Sequence, residues 1–516
     1  MRFPRCFSAD GERQSRPCQA SPVAVIPYAD FTYFGLLLYA VVPTLILGLF
    51  GKAGWRWATV VTAGMLLVQY HGLLSIRPHF PVREIWIVIG FAVWQWATVS
   101  IFAKSGTRAG WPFYVAVAAS LLPLAASKFV PVISPRSEFG FLGISYITFR
   151  ALDVAFCLRD NVIALPGTLD FLMFLFFFPT ISAGPIDRFQ RFAGEWKKRR
   201  TRAEFLVDLD GAVHRIFRGF FYKFILAALI KQYWLERAAS SGSFVALVSY
   251  MYAYSFYLFF DFAGYSAFAI ALSYLFGVHT PENFNRPFLA RNIRDFWNRW
   301  HITLSFWFRD HVYMRFLYAA MRGKWFAHKE VAPIVGYFLA FGLMGLWHGP
   351  ELHYIAYGFY QAALLSAFHI FSRWSKVHRY WHEGLVSRAV AIFITFQFVC
   401  FGLLIFSGRI GAAPLPHHVG DVEQAYCYEM YGWVWDKHRP DVPVDVELWD
   451  GDKYLMKFTA NEFRRDLVDA GYGNGKHGFH ILTPPQLKDR RSHVIHLRIA
   501  GTKQELTNSP KVIQCQ

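Results

Sequence analysis

"DFWNRWHITLSFWFRDHVYMRF", residues 295–316, is as aromatic as a membrane helix but is interrupted by Arg299, His301, Arg309, His311 and Arg315. The stretch from Phe296 to Phe308 is too short to cross a hydrocarbon core of ~30 Å at ~1.5 Å per residue. Trp297, Trp300, Leu304 and Trp307 recur at spacings of three, four and three, which predicts one helical stripe with Arg299 and Arg309 off it. The expected element is an amphipathic or re-entrant helix, with indoles at the headgroup level and arginines outside. His301 and Ser305, four apart, share a face of such a helix. Simple membrane anchoring is the plainer alternative.

The whole chain supports a membrane setting. Of 516 residues, 54% are hydrophobic and only 17% charged, against ~25% charged in soluble domains. Runs such as "FTYFGLLLYAVVPTLILGLF" (31–50) and "VAIFITFQFVCFGLLIFS" (390–407) approach the ~20 residues that a spanning helix needs. Twelve apolar segments occur between 31 and 407, among them 139–156, 213–235, 242–262 and 265–278. They predict an all-α polytopic membrane protein with about 11 transmembrane helices plus re-entrant or interfacial ones.

The net charge of +18 admits nucleic-acid binding or cytoplasmic loops rich in Lys and Arg. From His417 onward, 13 Lys/Arg face 14 Asp/Glu, so the excess belongs to the preceding part. It concentrates in the loops 186–202, 286–329 and 373–388, which excludes a nucleic-acid partner and predicts that these loops face the cytoplasm. If so, the tail leaves the membrane on the other side.

Residues 1–26 read as a flexible N-terminal extension, 27–408 as the membrane domain, 409–420 as a linker and 421–516 as a small β-sandwich. The last assignment rests on short alternating runs such as "YGWVW" (431–435) and "HVIHLRI" (493–499), separated by turns such as "DGD" (450–452). His477, His480, His493 and His496 are read as surface polar residues, because histidines three apart on a strand face opposite ways. The six cysteines show neither a disulfide framework nor a zinc motif, so no metal is expected. Cys427 and Cys515 can pair only in an oxidising compartment.

Ionisable residues inside apolar segments are functional candidates by default. His348 leads them, in "AFGLMGLWHGP" (340–350), where Gly349 and Pro350 stop the helix behind it. His301 is second. Asp261 is expected to pair with an arginine, and Asp187 and Arg188 to serve packing. Phosphate-loop, GxSxG and HExxH motifs are absent. The histidines therefore leave two classes open: a proton-linked transporter, or an enzyme using histidine as general base.

"FWNRWHITLSFWFRD" (296–310) and "LMGLWHG" (343–349) resemble the two histidine motifs of the membrane-bound O-acyltransferase family. "FLGISYITFRALD" (141–153), "FFPTISAGPIDRFQRF" (177–192), "LFFDFAGYSAFA" (258–269) and "PENFNRPFLARNIRDFWNRWH" (281–301) are similar in the same order. The resemblance covers about residues 27–408. "GPIDRFQRF" and "FRDHVYMRFLYAAMR" are similar to the D-alanyl transfer branch, and alginate-type O-acetylation is the alternative. The resemblance implies His348 as the catalytic residue and His301 as the second histidine. It further implies a tunnel involving Asn298, Trp300, Ser305 and Trp347, and a basic dock involving Arg294 and Arg309. No cofactor is bound in this scheme. The donor is a thioester on the phosphopantetheine of an acyl carrier protein of the D-alanyl type, and the acceptor is an envelope polymer or a relay protein. The implied location is the bacterial inner membrane. The tail lies outside the resemblance; it is similar to β-sandwich modules of bacterial carbohydrate-active and cell-surface proteins, which implies contact with a glycan or partner.

Overall fold

The computed structural model describes residues 27–70, 81–106, 110–133, 140–240, 243–378, 384–410, 418–437, 439–502 and 504–515. The N-terminal extension and most of the linker lie outside the described residues. The chain divides into two units: residues up to Ala228 with Ser255–Gly408, and Leu229–Tyr254 with Arg409–Gln516.

The helices of the first part are α1 (Phe31–Leu49), α2 (Trp55–Tyr70), α3 (Pro81–Lys104), α4 (Trp111–Ile133), α5 (Ile144–Arg159), α6 (Thr168–Phe176), α7 (Phe189–Glu195) and α8 (Arg202–Phe220). After α8 come α9 (Glu236–Ala239), α10 (Phe244–Leu275), α11 (Ile293–Trp297), α12 (Ile302–Phe308), α13 (Met314–Arg322), α14 (Val331–His348), α15 (Leu352–His378) and α16 (Leu385–Phe406). Among the described residues, six helices are long and apolar enough to cross a membrane: α1, α3, α4, α10, α14 and α16. Their outward faces carry bare apolar side chains, such as Tyr39, Trp86 and Ile101. Faces of this kind suit lipid and not water. By contrast α5 is buried nearly all round, including Thr148, Arg150 and Asp153, and is enclosed by protein.

Two expectations about local structure are corrected. The segments 242–262 and 265–278 form one 32-residue helix, α10. Gly264 does not break it: a Cβ there would lie 2.8 Å from Lys223 Cβ and 3.0 Å from the Gly219 carbonyl oxygen. Its glycine permits close helix approach. The aromatic stretch, in turn, is not one helix. It breaks between α11 and α12, with His301 at φ 42° in the left-handed region, and resumes through a wide turn at Arg309–Tyr313 into α13. The four stripe residues are all buried. Trp297 Nε1 donates to Gln361 Oε1 (3.2 Å) and Trp307 Nε1 to the Phe149 carbonyl (3.1 Å). These indoles therefore fill the protein interior and do not sit at headgroups.

α14 and α15 form a tight hairpin. At one end, Glu330 accepts from His369 (2.8 Å) and pairs with Arg373. Near the other, a Cβ on Gly358 would meet the Phe341 carbonyl oxygen at 2.3 Å, and one on Gly345 would meet the Tyr354 carbonyl oxygen at 2.5 Å. Small residues here let the backbones touch. Gly358→Val should force the helices apart and displace His348. The expected result is a loss of activity of more than tenfold together with a lower melting temperature, because overpacking costs about 1–3 kcal/mol. Activity and melting temperature both at the wild-type level would contradict this packing account.

The tail folds as two four-stranded antiparallel sheets. Their strands are β1 (His418–Ala425), β2 (Glu429–Asp436), β3 (Val444–Asp450), β4 (Lys453–Ala460), β5 (Glu462–Phe463), β6 (Lys476–Leu482), β7 (Ser492–Ile499) and β8 (Lys511–Gln514). The strand orders are β1-β2-β6-β5 and β4-β3-β7-β8. Alternate residues of both sheets, including Met430, Val434, Leu448 and Ile495, enter one buried cluster. A short helix, α17 (Arg465–Asp469), follows β5. The reading of the tail histidines needs correction. His477 and His493 are buried, because they lie on the inward register of their strands. His493 is held between Asp450 (2.7 Å) and Asp489 (2.8 Å), and these carboxylates raise its pKa. Cys427 and Cys515 are disulfide-bonded, which the scattered spacing did not reveal.

Candidate active site

His301 is built into a polar knot inside an aromatic wall. Its Nδ1 lies 3.2 Å from Asn283 Oδ1. The same oxygen accepts from Thr303 Oγ1 (2.9 Å) and more weakly from the Thr303 amide (3.4 Å). Thr303 Oγ1 in turn accepts from the Ile186 amide (3.0 Å), and Asn283 Nδ2 donates to Ser266 Oγ (3.3 Å). An amide oxygen only accepts, so His301 must carry its proton on Nδ1, which leaves Nε2 as the lone-pair nitrogen. Phe262 packs in a T-shape against the imidazole, 4.8 Å between ring centroids. Sequence reasoning missed Asn283 as the partner of His301, although the quoted "PENFNRPF" contains it. A neutral amide produces no charge signal, and its role depends on the turn that brings it to His301.

His348 ends α14. Trp347 (4.5 Å between ring centroids), Phe406 (4.8 Å) and Tyr354 (5.8 Å) surround its ring. Its carbonyl accepts from Lys128 Nζ at 3.3 Å. A cation at a helix C-terminus complements the helix dipole. Trp347 packs against Phe149 and Tyr146. Among the described residues, its buried Nε1–H has no acceptor.

The other named residues divide. Trp300 is buried against Phe284 (5.1 Å) and Phe296 (5.6 Å), and Ser305 Oγ donates to the Trp300 carbonyl (3.1 Å). Asn298 is exposed at the end of α11. Arg294 is exposed and lies over Phe368. Arg309 is engaged with Asp310 (2.8 Å) and the Phe306 ring.

Beside the histidines lies an ionic cluster that the sequence reading underrated. Asp153 on α5 accepts from Arg188 (2.8 Å), His311 (2.9 Å) and the Phe189 amide (2.8 Å). Arg188 also binds Asp310 (2.8 Å) and the Phe306 carbonyl (3.1 Å). Asp187 pairs with Arg191. Asp187 and Arg188 thus serve ion pairing, because buried charges persist only with partners. Arg150, 1% exposed, has no carboxylate in direct contact among the described residues. It donates to the carbonyls of Phe174, Leu175 and Thr180 at 3.1, 3.1 and 2.8 Å, two of them at the end of α6. Asp261 pairs with Lys223 and, among the described residues, not with an arginine.

Comparison with known proteins places this geometry. The sequence model of the membrane-bound O-acyltransferase family matches residues 24–407. A teichoic acid D-alanyltransferase of Bacillus subtilis (strain 168) is 40% identical over 406 residues, covering 76% of this chain and 99% of the relative. One from Lacticaseibacillus rhamnosus is 38% identical, covering 74% and 97%. A probable alginate O-acetylase of Pseudomonas syringae pv. tomato is 32% identical but covers only 42% of this chain and 40% of its own length. The chain is an acyltransferase and belongs to the membrane-bound O-acyltransferase family.

Proposed function

We propose that the chain moves a D-alanyl group from the phosphopantetheine thioester of a carrier protein to a hydroxyl of an envelope polymer or relay protein. The near-complete coverage of relatives named for D-alanyl transfer carries this reading. The alginate-type relative shares less than half of either chain. His348 acts as the base. It takes the acceptor's hydroxyl proton as the oxygen attacks the thioester carbonyl carbon, the C–S bond breaks, and the proton passes to the departing thiolate. The Trp347 N–H supplies a hydrogen bond to the carbonyl oxygen as negative charge develops there. His301, with Nδ1 anchored, presents its basic nitrogen to the same reaction path. The aromatic walls keep water from the thioester. Trp300 and Ser305 shape the path, Asn298 stands at its surface edge, and Arg294 and Arg309 meet an acidic carrier.

In this reading the chain lies in a bacterial cell membrane. Shorter and interrupted helices bring the crossings to about 11, and the two tail sheets pack as a sandwich. The disulfide supports an extracytoplasmic tail, since such bonds persist in oxidising compartments. An impermeant maleimide applied to intact cells should label Cys427 and Cys515 only after an impermeant reductant; labelling that requires permeabilised cells would place the tail inside.

The deciding experiment is reconstitution in vesicles with carrier loaded with D-alanine or with an acetyl group. D-alanyl transfer to acceptor hydroxyls supports the proposal, and transfer of acetyl alone would overturn it. Proton flux without acyl transfer would favour the transporter. The same assay, read against carrier concentration, tests the dock: Arg294→Glu with Arg309→Glu should raise KM and leave kcat unchanged.

A further inference from the structure

A cavity of about 1080 Å³ lies between the start of α11, α15 and α16, and neither site histidine lines it. Its wall changes character along its length. On α16, Arg388 in the first turn is followed by Ala391, Ile394 and Phe398. On α15, Leu364, Phe368 and Phe371 precede Ser372 and Ser375. The polar ends of both helices fall together, and Arg291 joins them from the start of α11. From Arg388 to Phe398 the cavity runs about 15 Å along the helix, at ~1.5 Å per residue. That is the depth of one leaflet's hydrocarbon, half of ~30 Å.

Among the described residues, neither Arg291 nor Arg388 has a carboxylate partner. The neighbouring Asp295 is occupied by the Arg299 side chain (2.7 Å) and the Arg291 backbone amide (3.0 Å). Arg294, over the lining ring of Phe368 at 5.5 Å, adds a third positive charge. α16 is a candidate span, and Ile394 and Phe398 are 45% and 48% exposed on it, so the apolar wall opens towards the bilayer.

We propose that this cavity binds an anionic glycerophospholipid, with its phosphate between Arg291 and Arg388 and an acyl chain along Ala391, Ile394 and Phe398. Charge complementarity selects the headgroup, as basic pockets between membrane helices do generally. The phosphopantetheine arm is a poorer occupant. Its two amides need partners, and deeper than the serines the only side-chain hydroxyl among the described lining residues is that of Thr395.

The test measures lipid retained by the purified full chain after exchange into detergent containing phosphatidylglycerol or phosphatidylcholine. The wild type should retain phosphatidylglycerol about tenfold over phosphatidylcholine, given the worth of two basic side chains near a lipid phosphate. Arg291→Gln with Arg388→Gln should erase the preference, and the paired lysine variants should keep it. Ala391→Trp, which fills the apolar part, should lower retention of both lipids while the size-exclusion profile stays unchanged. Equal retention of the two lipids by the wild type would overturn the proposal. So would an unaltered preference in the paired glutamine variant, or displacement of phosphatidylglycerol by loaded carrier.

Discussion

His348→Ala leaves membrane insertion and the melting temperature close to wild type and lowers D-alanyl transfer by about 10²–10⁴-fold, the contribution of a positioned general base. The stability half follows from geometry. His348 occupies the last position of α14, and its contact with Lys128 uses the backbone carbonyl, which alanine keeps. The activity half follows from chemistry, since an acceptor hydroxyl is a poor nucleophile until its proton is taken. Trp347→Phe is the companion variant. It retains a ring against Phe149 and Tyr146 but removes the buried N–H that lacks an acceptor. Loss of one oxyanion donor costs about 10²–10³-fold in kcat. Because base and donor act on one transition state, the double variant should fall well short of the product of the two losses. Full transfer in His348→Ala would remove this residue from the mechanism.

Asn283→Ala lowers kcat by about 10–100-fold at unchanged carrier KM, a loss of the size seen when an orienting partner of histidine is removed. The amide oxygen both selects the His301 tautomer and gathers the Thr303 hydroxyl, so its removal frees the imidazole to reorient. A purely structural role would instead lower the melting temperature and leave kcat per folded molecule intact. Measuring both on the same preparation separates the two cases. His301→Ala should reduce kcat at least as much as Asn283→Ala. A smaller effect would mean that Asn283 acts through something other than the imidazole.

Much of the candidate site was legible. A histidine at the end of an apolar run advertises its cost, and on that ground and by family resemblance His348 and His301 are the candidates. Asn283, Asp153 and Arg188 were not assigned catalytic or orienting roles. Asp153 and Arg188 lie 35 residues apart along the chain and meet only because α5 is buried against the loop before α7. Arg150 shows the same limit: its partners are mainly backbone carbonyls, which have no signature in sequence.

By itself, the sequence determined that this is a membrane protein with a chemically distinct tail, because apolar length and charge distribution are properties of local segments. It also determined which histidines stand where charge is expensive. Tertiary structure alone decided what "DFWNRWHITLSFWFRDHVYMRF" does. Periodicity suggested one helix lying at the headgroups. The fold breaks that helix at His301, buries all three indoles of its stripe, and turns the imidazole onto Asn283. A period of 3.6 residues specifies which side chains share a face, but whether that face meets lipid or protein depends on the neighbours that pack against it.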